Sequence, residues 1–185
     1  PCTLWISRGK TGMLPKRVLA TLGGTRSDIA CDALDLKVLR TAATIAEANG
    51  RELHYLHAMP LYGDKGQKGH TLRPDLAEYI HSLKGSFKEK CGVVLKDFQV
   101  ELNDDLIHMK IGSPATANVD LVSDKHIDLV IMGARPHENL QTVLLGTRVM
   151  RVFDYLKCDV VGVKPDDFVS LLETEGELAV DKEAR

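Results

Sequence analysis

Along this chain, short apolar runs rich in β-branched residues alternate with longer segments whose apolar residues recur every three or four positions. Arg17 to Leu22, RVLATL, is one such run and predicts a strand, stopped by the loop Gly23-Gly24-Thr25. Asp32 or Asp35 then caps a helix in which Val38, Leu39, Ala42, Ile45, Ala46 and Asn49 share a face, with Gly50 as its stop. Leu53 to Met59 predicts the second strand, and Pro60 to Leu72 a loop rich in Gly and Lys. After Pro74, the stripe Leu76, Tyr79, Ile80, Leu83 and Phe87 predicts a helix that reaches about Cys91, with Gly92 as its end or in its last turn. Leu106 to Lys110 is the third strand. Ser113 caps the following helix, which turns Ala117, Leu121 and Val122 toward the sheet. The unbroken run Ile127 to Met132, IDLVIM, predicts a central strand covered on both faces. Gly133 to Leu145 is a loop, Gly146-Thr147 opens a short helix through Val149, Val152, Phe153 and Leu156, and Asp159 to Val163 is the fifth strand.

Alternating strands and helices with right-handed crossovers imply an α/β fold, a five-stranded parallel sheet with helices on both faces. With 185 residues, 44% of them apolar, the chain can fill one substantial core. Its 24 basic and 26 acidic residues nearly cancel, which gives no global field to attract nucleic acid or an anionic membrane. No apolar run approaches the ~18 residues of a membrane span. The four cysteines, Cys2, Cys31, Cys91 and Cys158, form no C-x-x-C pair and no zinc-type spacing, so a soluble, reduced, cytoplasmic protein is expected.

In sheets of this kind ligands lie outside the C-terminal strand ends, where strand order reverses. The fourth loop, GARPHENLQTVLLGT, ends on Gly146-Thr147 at a helix start, where free N–H groups and the Thr147 hydroxyl can hold a phosphate, with Arg135, His137 and Arg148 nearby. The plainer reading is a good helix entry with solvated arginines. The seven histidines show no metal spacing: His54 and His57 point to opposite faces of one strand, and the others are scattered, so no metal is expected. Asp104-Asp105 and Asp166-Asp167 read as loop charges, and the chain carries no nucleophile elbow, Walker loop or dinucleotide fingerprint.

The loop nonetheless resembles one family. Universal stress proteins carry G-x2-G-x9-G-[ST] after the fourth strand, and here Gly133, Pro136 and Gly146-Thr147 stand in that register. The resemblance implies the adenine nucleotide alpha hydrolase-like fold of that family over residues 17–165, and a role in stress response. Two departures bear on its nucleotide site. Pro136 has no N–H to donate and cannot take a positive φ. Leu22, before Gly23, replaces the aspartate that ends the first strand in ATP-binding members. The expected function is therefore non-enzymatic: binding of a small ligand or protein partner at a degenerate nucleotide site, with Leu22, Gly23, Gly133, Arg135, Gly146 and Thr147 as its residues and no cofactor required. An ATP-binding switch, a nucleotidyl transferase of the wider superfamily and a structural dimerisation module are the alternatives.

DALDLKVLRTA, AEANGRELHYLHA, IGSPATANVDL and LLGTRVMRVFDYLKCDVVGVKPD resemble the second domain of a two-domain, tandem member. PCTLWISRG at 1–9 is similar to KCDVVGVKP at 157–165, which marks 1–9 as the last strand of a preceding domain, 10–16 as a linker and 166–185 as an acidic tail expected to be mobile. An exposed strand edge at Val160, Val161 and Val163 invites aggregation unless covered. Leu4, Trp5 and Ile6 are expected to cover it, as in a homodimer or a pseudo-dimer with that preceding domain.

Overall fold

The computed structural model describes residues 3–8, 14–23, 32–48, 50–59, 76–134, 153–166 and 168. Its elements run β1 (Leu4–Ile6), β2 (Arg17–Leu22), α1 (Ala33–Ala48), β3 (Glu52–Met59), α2 (Leu76–Leu95), β4 (Ile107–Ile111), α3 (Pro114–Lys125), β5 (Leu129–Gly133) and β6 (Asp159–Val163). Residues 153–155 are also helical. The strands form one sheet in the order β1-β6-β5-β2-β3-β4.

The sheet corrects the expected five-stranded parallel one: it has six strands and is mixed. β2 to β6 are parallel to one another, while β1 runs antiparallel to β6 with Leu4 opposite Gly162, Trp5 opposite Val161 and Ile6 opposite Val160. The physical reason is the edge of β6, whose N–H and C=O groups need partners and find them in the extended segment Leu4–Ile6. Asp159 fixes that segment. Its carboxylate accepts from Trp5 Nε1 at 3.1 Å, Ser7 Oγ at 3.1 Å and the Arg8 amide at 2.8 Å.

β2 sits at the centre because its side chains are apolar on both faces. Val18, Ala20 and Leu22 join the core under α1 and α2, and Leu19 joins the core under α3. α1 presents Val38, Leu39, Ala42, Ala43 and Ala46 to the sheet, and the small alanines let its backbone approach closely. Asp32, not Asp35, is its cap: Oδ1 accepts from the amides of Leu34 at 2.9 Å and Asp35 at 3.0 Å. α2 passes through Gly92 to Leu95. A mid-helix glycine costs only about 1 kcal/mol, and burial of Cys91 and Leu95 at the end of the stripe that contains Phe87 outweighs it. Ser113 caps α3 as expected, accepting from the Thr116 amide. Tyr55 and Phe87 are fully buried edge to face, and the Tyr55 hydroxyl donates to the Glu101 carbonyl at 2.9 Å. No described helix is long and apolar enough to cross a membrane.

Candidate functional site

Strand order reverses between β2 and β5, because β3 and β4 extend the sheet to one side of β2 and β5 and β6 to the other. The C-terminal rim at that point is built by a row of neighbours on the α1 face. His57 is opposite Leu22, and Gly133 is opposite Val163. Thr21 pairs with Met132, so Leu22 and Gly133 adjoin one step further on. Strand alternation puts His57 two residues beyond Tyr55 and Gly133 two beyond Ile131, both in the α1-side core. Leu34, from the first turn of α1, packs over this row with Leu22 and Val163.

Two glycines are explained by contacts inside this rim. A Cβ on Gly133 would stand 2.8 Å from Leu34 Cδ2, so the position is glycine because α1 lies against it. Gly23 has φ +124°, and a Cβ there would fall 2.8 Å from His57 Nδ1. The Gly23 amide donates to Asp35 Oδ1 at 3.1 Å, which ties the end of β2 to the start of α1. Leu22 is buried in the core, not presented as a polar group at the strand end.

His57 is 3% exposed, and burial lowers its pKa, opposed by a hydrogen bond to the Leu22 backbone. Its Nε2 makes no hydrogen bond among the described residues. Lys164, one residue past β6, is buried as well, with its ammonium 3.9 Å above the Phe168 ring. Neither residue is singled out for the site by the sequence; the signal available was a polar residue near a strand's C-terminal end, two residues before it at His57 and one past it at Lys164.

Of the expected site residues, Leu22, Gly23 and Gly133 come together at the rim, whereas Arg135, Gly146 and Thr147, with Pro136, lie outside the described residues. Of the expected edge residues, Leu4, Trp5 and Ile6 lie along Val160 and Val161, while Val163 pairs with Gly133 and belongs to the rim. Two residues of the expected tail are held: Asp166 pairs with Lys37, and Phe168 lies under Lys164.

A second polar cluster lies at the opposite end of the sheet, on the α3 face. His54 Nδ1 is 3.0 Å from His108 Nε2, with the rings stacked at 5.2 Å. His54 Nε2 approaches Glu52 at 3.3 Å without hydrogen-bond geometry. Burial lowers the pKa of both, that of His108 to about 4, with the neighbouring His54 as the next cause. His54 and His57 do face opposite sides, as strand alternation requires. Among the described residues no three metal-ligating side chains converge. Cys91 and Cys158 are buried and form no disulfide, and burial beside Asp159 pushes Cys158 up to about 12, far from a reactive thiolate.

This parallel core, reversing beside its central strand, is that of the open, doubly wound α/β class. A family model described as "Universal stress protein family" matches residues 31–164. The chain belongs to the universal stress protein family. Universal stress protein E of Escherichia coli K12 is 21% identical over 183 residues, covering 96% of this chain and 55% of the relative, so the chain spans about half that protein's length. A putative universal stress protein from Pseudomonas aeruginosa UCBPP-PA14 superposes with TM-score 0.66 at 19% identity, over 90% of this chain and 53% of the other. A universal stress protein solved in complex with cAMP superposes with TM-score 0.50 at 18% identity, over 82% and 98%.

Proposed function

We propose that this chain acts in the stress response as a non-catalytic binding module, taking a small ligand at the rim between β2 and β5. The observation that carries the reading is the apolar construction of the rim, where Leu22, Leu34 and Val163 pack against one another around Gly133. Such a floor suits a neutral or weakly polar ligand better than the charged end of a nucleotide. The first amides of α1 are also already taken by Asp32.

The same reading makes the module one half of a pair, the second domain of a tandem chain or one partner of a homodimer. Aligning 1–9 with 157–165 places Trp5 over Val161, and the β1–β6 ladder is centred on that same pair. An antiparallel ladder centred on equivalent positions is what a two-fold contact between two like strands produces. In this reading β1 stands for the last strand of a second domain of the same kind. Buried thiols that form no disulfide, at Cys91 and Cys158, fit work in a reducing cytoplasm.

The alternative, an ATP-dependent switch, draws on the cAMP-bound relative and on the retained Gly133. Thermal melts separate the two. A ligand at 100 times its Kd adds about 2.7 kcal/mol, which for a chain of this size raises the midpoint by roughly 5–10 °C. Millimolar magnesium ATP is expected to leave the midpoint unchanged, and a rise of that size would replace this reading with the switch. Mass spectrometry of molecules that copurify is expected to find a compound without a triphosphate.

A further inference from the structure

Among the described residues Lys164 is the one buried lysine, 5% exposed directly after β6. No carboxylate of those residues lies within ion-pair distance of its ammonium, which meets the face of the Phe168 ring at 3.9 Å. A lysine covered without a counter-ion opposes its own covering, because lost hydration is only partly replaced by the ring. The cover is the chain just beyond it. The Phe168 amide donates to the Pro165 carbonyl at 3.3 Å, which turns the backbone, and Asp166 pairs with Lys37 in the second turn of α1. The Asp166 side chain is 83% exposed, so salt screens this pair, which favours the closed form by at most about fivefold. The ring contact, over a buried lysine, contributes between about twofold and thirtyfold and is screened less. Closure is thus held by two modest contacts and opposed by a desolvated charge, which leaves the covered and uncovered forms close in free energy.

We propose that Asp166 and Phe168 form a latch over Lys164 that ionic strength opens. As salt weakens the Lys37–Asp166 pair, Phe168 lifts from Lys164, and the ammonium groups of both lysines come free together. The two contacts have separate tasks: the exposed ion pair senses salt, and the aromatic ring does the covering. Lys164→Leu would remove the opposing charge and leave the cover shut. The latch is independent of any ligand at the rim and gives the module a response to salt built into its own chain.

A brief pulse of N-hydroxysuccinimidyl acetate on the full chain, read by mass spectrometry, measures how often Lys164 is uncovered. Exposed Lys96 supplies the internal reference. In low salt Lys164 is expected to label several-fold more slowly than Lys96. Raising salt to about 1 M, where the screening length falls to ~3 Å, is expected to speed Lys164 by up to about fivefold. Asp166→Asn is expected to start near the raised rate and to lose the salt response. Phe168→Ala is expected to label faster than either at every salt concentration. Neither residue belongs to the packed core, and unchanged circular dichroism checks that both variants are folded. Four results overturn the inference. Lys164 labelled as fast as Lys96 in low salt means that no latch is closed. A rate without salt response in the wild type, or a response that survives in Asp166→Asn, means that the pair is not the sensor. A Lys164 that stays slow in Phe168→Ala means that the ring is not the cover.

Discussion

Acid should unfold this protein through the His54–His108 pair before its carboxylates titrate. The pair sits between β3 and the edge strand β4 with ring nitrogens 3.0 Å apart, a contact suited to neutral rings sharing one proton. Glu52 favours a proton on His54, while Lys125 on α3 and Arg17 on β2 oppose it; Lys125, Lys110 on β4 and Lys84 on α2 oppose one on His108. Desolvation outweighs Glu52, and both pKa values fall below 6.5. Above pH 6.5 native and unfolded chains are both neutral at these rings, and the full stability is present. As pH falls below 6.5 the unfolded chain takes up protons that the native pair refuses, so stability is lost down to about pH 4, where His108 titrates in the native state. The interval from 6.5 to about 4 at His108 corresponds to about 3 kcal/mol at full expression. Solvent reaches the half-buried His108, which reduces this to about 2 kcal/mol. Urea midpoints measured from pH 7.5 to 4.5 should show the loss. His108→Asn should flatten the slope by up to about 1.4 kcal/mol per pH unit within that window. If wild type and variant lose stability in parallel across pH 6.5–4.5, the pair is not the source and the reasoning fails.

Other outcomes follow from single contacts. Gly133→Ala should lower stability by about 1–3 kcal/mol through overlap with Leu34, and Leu34→Ala in the same chain should recover part of it in a double-mutant cycle by urea melts. Gly23→Ala meets both a positive φ and the His57 ring, so a cost of at least about 1 kcal/mol is expected, checked by thermal midpoint. Tyr55→Phe removes the bond to the Glu101 carbonyl and should cost about 1 kcal/mol. Asp159→Ala removes the acceptor of three bonds from Trp5, Ser7 and Arg8; hydrogen exchange at residues 4–6 should speed up markedly while exchange in β2 stays slow. Unchanged exchange at 4–6 would show that the ladder to β6 holds the segment alone.

Much of this fold is written in local periodicity. The bounds of β2 and β6, the Ser113 cap and the opposite facing of His54 and His57 all follow from spacing and from side chains that act within a few residues. The family could be recognised from the chain because its loop pattern is also local. Features that depend on pairing across the sheet were not legible in that way. His54 and His108 are 54 residues apart, and only the register between β3 and β4 brings their rings together. The motif position Gly133 is visible in sequence, but the Leu34 side chain that demands glycine comes from α1, whose placement depends on the packed core. Asp32 and Asp35 were equal as caps until the helix start was placed, after which one holds the helix and the other the Gly23 turn. β1 was expected to cover β6, but its antiparallel sense, which makes the sheet six-stranded and mixed, is visible only in the β1–β6 register. The chain thus encodes its elements through short-range repeats and caps, while the rim exists only once distant strands have set their register.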